Sequence, residues 1–192
     1  MSKKVTIVGA GALGSHVIQF LRSEDVALTV VDFDKVEQKN TLSQFHSRKT
    51  TGKNKADALK AAMSLFWGVK LETFPRRLEE NNIAQIMAGQ PDLIIDAVDN
   101  AETRKLIQGY AKDMGIACLH GAVSGDGSFG QVIWTERFVI DSGGAGGATC
   151  EEGEFLPFLA TVGAYVARSA QLYLREGVKK NWQVHPGGVR IV

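Results

Sequence analysis

An apolar strand that runs into a glycine turn and straight on into a helix constrains this chain more than any other feature: Val5-Thr6-Ile7-Val8-Gly9-Ala10-Gly11-Ala12-Leu13-Gly14-Ser15. Gly9 permits a tight turn, Gly11 removes the side chain that would block a phosphate from the backbone, and Gly14 lets the helix lie close on the strand. Free amides at the helix start then face the ligand and favour negative charge. The turn is answered by Asp32 at the end of the next strand, where a carboxylate can take a ribose hydroxyl. Together these features predict a nucleotide site and leave open which nucleotide.

The rest of the chain keeps an alternating rhythm. Residues 12–23 place Leu13, Val17, Phe20 and Leu21 on one helical face, and residues 27–33 form a continuous apolar strand of the kind buried on both faces. The polar segment 34–53 is long for a connector in a compact domain, which marks it as functional. Helices are expected at 54–66, 79–87 and 101–114, and strands at 69–74, 91–98, 116–123 and 131–135, the last antiparallel at a sheet edge. Residues 142–149 read as a glycine-rich linker, about 155–175 as a long helix ended by Gly177, and 181–192 as a hairpin around Pro186-Gly187-Gly188. This pattern predicts one α/β domain over 1–192 with a Rossmann-like, doubly wound, mostly parallel sheet, helices on both faces and a long C-terminal helix.

Composition removes several function classes. With 22 basic against 21 acidic residues the net charge is only +1, which argues against a generic nucleic-acid binder. The longest apolar run, near Phe155 to Leu174, carries Arg168 and is broken by Gly163, so it suits a buried helix and not a membrane span. The sequence opens with Met-Ser-Lys-Lys and enters the first strand at once, so no leader and a cytoplasmic location are the expectation. Cys118 and Cys150 cannot supply a four-ligand zinc site and are expected as free thiols in a reducing compartment. His16, His46, His120 and His185 share no ligand spacing and read as non-ligating histidines.

Asp32-Phe33-Asp34, Asn40, Gln44, Lys55 and Asp96-Ala-Val-Asp99-Asn100, in that order after the glycine turn, resemble the adenylation domain of the ThiF and MoeB sulfur-carrier adenylyltransferases and the ubiquitin-activating enzymes. The likeness runs from residue 5 to about residue 175. It implies an enzyme that uses ATP and Mg²⁺ to adenylate the C-terminal glycine carboxylate of a ubiquitin-like or sulfur-carrier protein, acting as a homodimer. It further implies that Gly9, Gly11 and Gly14 admit the phosphates, Asp32 takes the ribose, and Lys55 carries positive charge to the phosphoryl oxygens. Asp99 would hold Mg²⁺, while Asp34, Asn40, Gln44 and Asn100 would line the nucleotide site. From position alone, Lys55 could equally be a solvated lysine at a helix start, and Asn100 the cap of the helix that follows.

The chain departs from the family pattern in three places. Ser43 stands where an arginine is expected, with Arg48 or Lys53 in the same loop as its replacement. The sequence opens at the first strand, so the helix from which family members donate an arginine to a partner subunit is expected to be missing, and so are the zinc cysteines of MoeB-like members. Cys150, between the glycine linker and a helix opening with Pro157, resembles the thioester-forming cysteine of compact ubiquitin-like-activating enzymes, which hand their cargo to a conjugating enzyme. A helix N-terminus favours its thiolate, whereas Glu151, Glu152 and Glu154 oppose it. Cys118, inside an apolar strand, reads as a small buried residue.

Two other functions stay open. A nicotinamide-dependent oxidoreductase would use the glycine turn and Asp32 but leaves Lys55 and Asp99-Asn100 unexplained. A non-catalytic scaffold binding nucleotide or a ubiquitin-like protein is consistent with Ser43.

Overall fold

The computed structural model describes residues 2–140 and 153–192. They form one eight-stranded sheet in the order β3-β2-β1-β4-β5-β6-β7-β8. The strands are β1 (Lys3–Val8), β2 (Val26–Val31), β3 (Leu71–Phe74), β4 (Leu93–Asp96), β5 (Ala117–Val123), β6 (Gly130–Trp134), β7 (Trp182–His185) and β8 (Gly188–Ile191). The first five are parallel and the last three antiparallel. The helices are α1 (Gly14–Phe20), α2 (Lys55–Trp67), α3 (Ile83–Ile86), α4 (Ala101–Met114) and α5 (Leu156–Glu176).

Period-two alternation in the parallel strands gives the sheet two apolar faces. Val5 and Ile7 of β1 join Val17 of α1, Leu59 of α2 and Val162 and Val166 of α5 in one core. Val8 of the same strand joins Ile86 of α3 and Ile107 of α4 in the other. Helices therefore cover both faces, as the alternating pattern required. The strand order reverses between β1 and β4, and at such a switch point the connections leave in opposite directions and open a crevice beyond the strands' C-terminal ends.

Local expectation and structure part in a few places. β6 is antiparallel as expected but does not lie at the edge, because the C-terminal hairpin β7–β8 adds on beyond it with Val132 opposite Trp182. β2 stops at Val31 and not at residue 33, since the Asp32 carboxylate draws in the following chain by accepting the Asp34 amide at 2.7 Å. The expected helix 79–87 shrinks to α3, because the Asn82 side chain accepts from the Glu79 amide at 3.0 Å and donates to the Arg77 carbonyl at 2.9 Å. The expected linker 142–149 and Cys150 lie outside the described residues.

Candidate active site

The glycine turn leaves β1 at the switch point, and its three glycines do different work. Gly9 has φ +96°, and a Cβ on it would stand 2.6 Å from the Ala97 carbonyl oxygen at the end of β4. A Cβ on Gly14 would stand 1.8 Å from the Gly9 carbonyl oxygen, so helix and turn touch backbone to backbone. Both glycines are demanded by the protein itself. A Cβ on Gly11 would meet nothing nearer than the Gln44 Nε2 at 4.0 Å, and Gly11 lines the crevice. A side chain there would project into the crevice without meeting the protein.

Asp32 follows β2 and is buried, with one carboxylate oxygen accepting from the Ala10 amide at 2.6 Å and the other from the Asp34 amide at 2.7 Å. Burial pushes its carboxyl above the ordinary range, opposed by those two amides and by the Lys55 charge. Its first task is to tie the glycine turn to the loop after β2, and it does so at the crevice wall.

Lys55 is not a solvated lysine: it is 8% exposed, and its ammonium lies 3.0 Å from the Asp34 carboxylate. Asn54 caps α2 by accepting from the Asp57 amide, and its own amide group donates to the Asp32 and Asp34 carbonyls at 2.8 and 3.1 Å. The Lys55 amide donates to the Asp34 carbonyl at 2.8 Å. The Asp-x-Asp segment and the start of α2 are thus one stitched unit.

The long loop folds back over the glycine turn. The Phe45 amide donates to Ser15 Oγ at 2.9 Å, His46 donates from Nε2 to the Ala10 carbonyl at 2.8 Å, and His16 donates from Nε2 to the Ser43 carbonyl at 3.0 Å. Burial, reinforced by the Lys55 and His16 charges and opposed by the Ala10 hydrogen bond, takes the His46 imidazole down to about 4, so this anchor is neutral near neutral pH. The fold brings Gln44 to the crevice wall with its Oε1 buried and unpartnered among the described residues. Asn40 and Arg48 are not at that wall. Asn40 is buried and accepts from the Glu37 amide at 2.8 Å, closing its own turn. Arg48 is exposed on the 3-10 turn Arg48–Thr50, and Lys53 is likewise exposed.

Asp99 and Asn100 leave β4 on the other side of the crevice. Asn100 caps α4, accepting from the Thr103 amide at 2.8 Å. Asp99 lines the crevice, and its carboxylate has no hydrogen bond or ion pair among the described residues. Arg76 and Arg77, just past β3, also line it, and the sequence reading passed over them. Arg77 lies 4.2 Å over the Phe33 ring, and the Arg76 side chain has no partner among the described residues. Their signal was available: a basic pair one proline beyond the end of a parallel strand sits at the ligand edge of the sheet.

These elements enclose a cavity of about 730 Å³, within the span of small-molecule sites. Lys55, Arg76 and Arg77 offer positive charge for a polyphosphate. Among the described residues no three His, Cys, Asp or Glu side chains converge on a metal position. A single free carboxylate, Asp99, fits a Mg²⁺ that arrives with phosphate oxygens and keeps waters, the ordinary mode for this ion. Cys118 is buried in β5, where burial drives its thiol up to about 12 and makes it inert.

A doubly wound sheet with a glycine-lined crevice at its switch point defines the Rossmann-like class of α/β proteins, and the family can be stated more closely. The chain belongs to the ThiF family, whose model matches residues 1–167. It is similar to the SAMP-activating enzyme E1 of Haloferax volcanii, 36% identical over 126 residues that make up 64% of this chain and 46% of that protein. It is also similar to the sulfur carrier protein adenylyltransferase of Thermus thermophilus, 36% identical over 122 residues, 62% of this chain and 45% of that one. The chain thus spans less than half the length of these relatives. Among solved structures, E. coli MccB with AMPCPP and selenomethionine MccA superposes with a TM-score of 0.76 over 99% of this chain and 62% of that one, at 15% identity. That likeness shows the fold alone.

Proposed function

We propose that the chain acts, over residues 1–192 as one adenylation domain, to activate the C-terminal glycine carboxylate of a ubiquitin-like or sulfur-carrier protein with ATP. The observation that carries this reading is the convergence of Gly11, Lys55 and Asp99 on one crevice from three distant segments. A carboxylate oxygen of the carrier attacks the α-phosphorus, the bond from that phosphorus to the bridging oxygen breaks, and pyrophosphate leaves with the electron pair. The product is an acyl-adenylate.

Each residue has a physical task in that step. The open face of Gly11 lets the phosphates approach the turn, and Asp32 takes the ribose. Lys55, held by Asp34, is an oriented positive charge at the phosphoryl oxygens, the kind of electrostatic stabilisation that dominates such transfers. Bound at Asp99, Mg²⁺ would neutralise charge on the phosphates as a Lewis acid. Arg76 supplies the positive charge that Ser43 does not, since Arg48 and Lys53 stand away from the wall. The working unit is a homodimer in the cytoplasm. The Cys150 thiolate attacks the acyl carbon of the adenylate, the bond from that carbon to the AMP oxygen breaks, AMP leaves with the electron pair, and the carrier is held as a thioester before a conjugating enzyme takes it.

One observation favours a second reading: Ser43 is buried and the long loop sends no arginine to the crevice, as a scaffold that merely binds nucleotide would allow. Intact-mass spectrometry of a small carrier protein ending in glycine, incubated with the protein and Mg-ATP, separates the two. Adenylation adds one AMP to the carrier, or, once the carrier has passed to Cys150, adds the carrier's mass to the protein. Carrier and protein both of unchanged mass, with nucleotide still bound by the protein, assign the scaffold.

A further inference from the structure

Val98 immediately precedes Asp99, and both of its backbone polar groups are held by side chains. The Val98 amide donates to Asp96 Oδ1 at 3.0 Å, and its carbonyl accepts from Arg104 Nη2, which also donates to the Gly121 carbonyl at 3.1 Å. The two clamps are tied together, with Arg104 Nε 3.2 Å from Asp96 Oδ2. Behind them stands His120, whose Nδ1 donates to the same Asp96 oxygen at 2.7 Å and whose Nε2 is 2.5 Å from Thr135 Oγ1. The ring is fixed from the side by Phe138, stacked at 4.2 Å and 9°.

Asp96 and His120 are fully buried, and nothing in the adenylation step uses either. A buried carboxylate with an ionic partner is a poor source of stability compared with apolar packing of the same volume. The Asp96–His120 bond does join β4 to β5, and Arg104 also reaches the Gly121 carbonyl of β5. Holding the two strands together does not account for the other two bonds, which run to Val98, the residue next before Asp99, and fix it at both its amide and its carbonyl.

We propose that Asp96, Arg104 and His120 form a positioning unit that presents the Asp99 carboxylate to the Mg²⁺ of the nucleotide, with His120, backed by Thr135, fixing Asp96. The inference rests on the reading of Asp99 as the metal ligand. Residues that orient a ligand in this way commonly alter metal affinity by about 10–100-fold when replaced.

The test is calorimetric titration of the full chain with ATP across graded free Mg²⁺ and in EDTA. In His120→Leu the Mg²⁺ concentration giving half-maximal ATP binding rises about tenfold or more, while affinity in EDTA stays unchanged. His120→Asn, whose amide can donate to Asp96 from near the Nδ1 position, remains close to wild type. Thr135→Val, isosteric and gentle on folding, shifts the Mg²⁺ requirement in the same direction by a smaller factor. In an Asp99→Asn background, His120→Leu adds nothing further.

Equal losses with and without Mg²⁺, or an undiminished His120→Leu effect on top of Asp99→Asn, would overturn the proposal. If His120→Leu fails to fold, Thr135→Val decides, and a wild-type Mg²⁺ requirement in that variant counts against the unit. Should Asp99→Asn alone leave the Mg²⁺ dependence intact, the metal assignment falls first and this inference with it.

Discussion

At Gly11 and Gly14 the same substitution should have opposite consequences. Gly14→Ala drives a methyl into the Gly9 carbonyl and is expected to cost several kcal/mol of stability, read as a large drop in urea midpoint. Gly11→Ala finds open space, so it should fold with near-wild-type stability and lose ATP affinity by tenfold or more in calorimetry. Stable Gly11→Ala protein with full ATP affinity would empty the crevice of its phosphate. The positions legible in the sequence were those next to an element end: Asp32 and Asp99, just past β2 and β4, and Lys55, at the start of α2, all line the crevice. Asn40 and Arg48 do not, because their placement depends on how the loop of residues 34–53 folds, and no local spacing encodes that.

His46 gives a pH dependence at the same scale. Its pKa falls from 6.5 to about 4 in the folded protein, so between those values the unfolded chain binds the extra proton and the folded one does not. The neutral anchor's contribution is complete above pH 6.5 and is lost as pH falls towards 4. His16, also lowered by burial, acts in the same direction. His46→Gln can still donate to the Ala10 carbonyl but cannot titrate, so its urea midpoint should fall less than wild type between pH 7 and pH 5. Parallel losses in both proteins would remove His46 from the acid response.

Among the elements, helix ends were read best. Asn100 begins α4 and Gly115 ends it, matching the expected range of 101–114, because cap chemistry is local. Asn100→Ala should destabilise by about 1 kcal/mol in urea unfolding. If the Asn100 side chain also touches nucleotide, ATP affinity falls beyond what stability explains. Strand neighbours were read less well. β6 looked like an edge because its outer partner lies about fifty residues further along the chain, and hairpin pairing at that separation leaves no mark in the strand's own pattern. α3 came out short because Asn82 offers the backbone an alternative to helix, a competition that apolar spacing does not register.

Over the whole molecule, alternation of strands and helices was enough to specify a doubly wound, mostly parallel sheet, while the strand order that sets the switch point between β1 and β4 came only with the structure. What that pattern could not convey was convergence from β3: Arg76 and Arg77 face the crevice only because β3 lies beside β2, with Phe74 opposite Val31. Among the described residues no helix is long and apolar enough to cross a membrane. Light scattering on the eluted protein should report twice the 20.8 kDa chain mass if the unit is a homodimer, and a single chain mass at working concentrations would refute that assembly.

Adenylation itself is tested most directly by exchange of labelled pyrophosphate into ATP, dependent on Mg²⁺ and on a carrier protein ending in glycine. Exchange should appear with the wild-type chain and fall to background in Lys55→Ala and in Asp99→Ala, both with native circular dichroism. Exchange at the wild-type rate in either variant, or none with any such carrier, would contradict the assignment of this crevice to carboxylate activation.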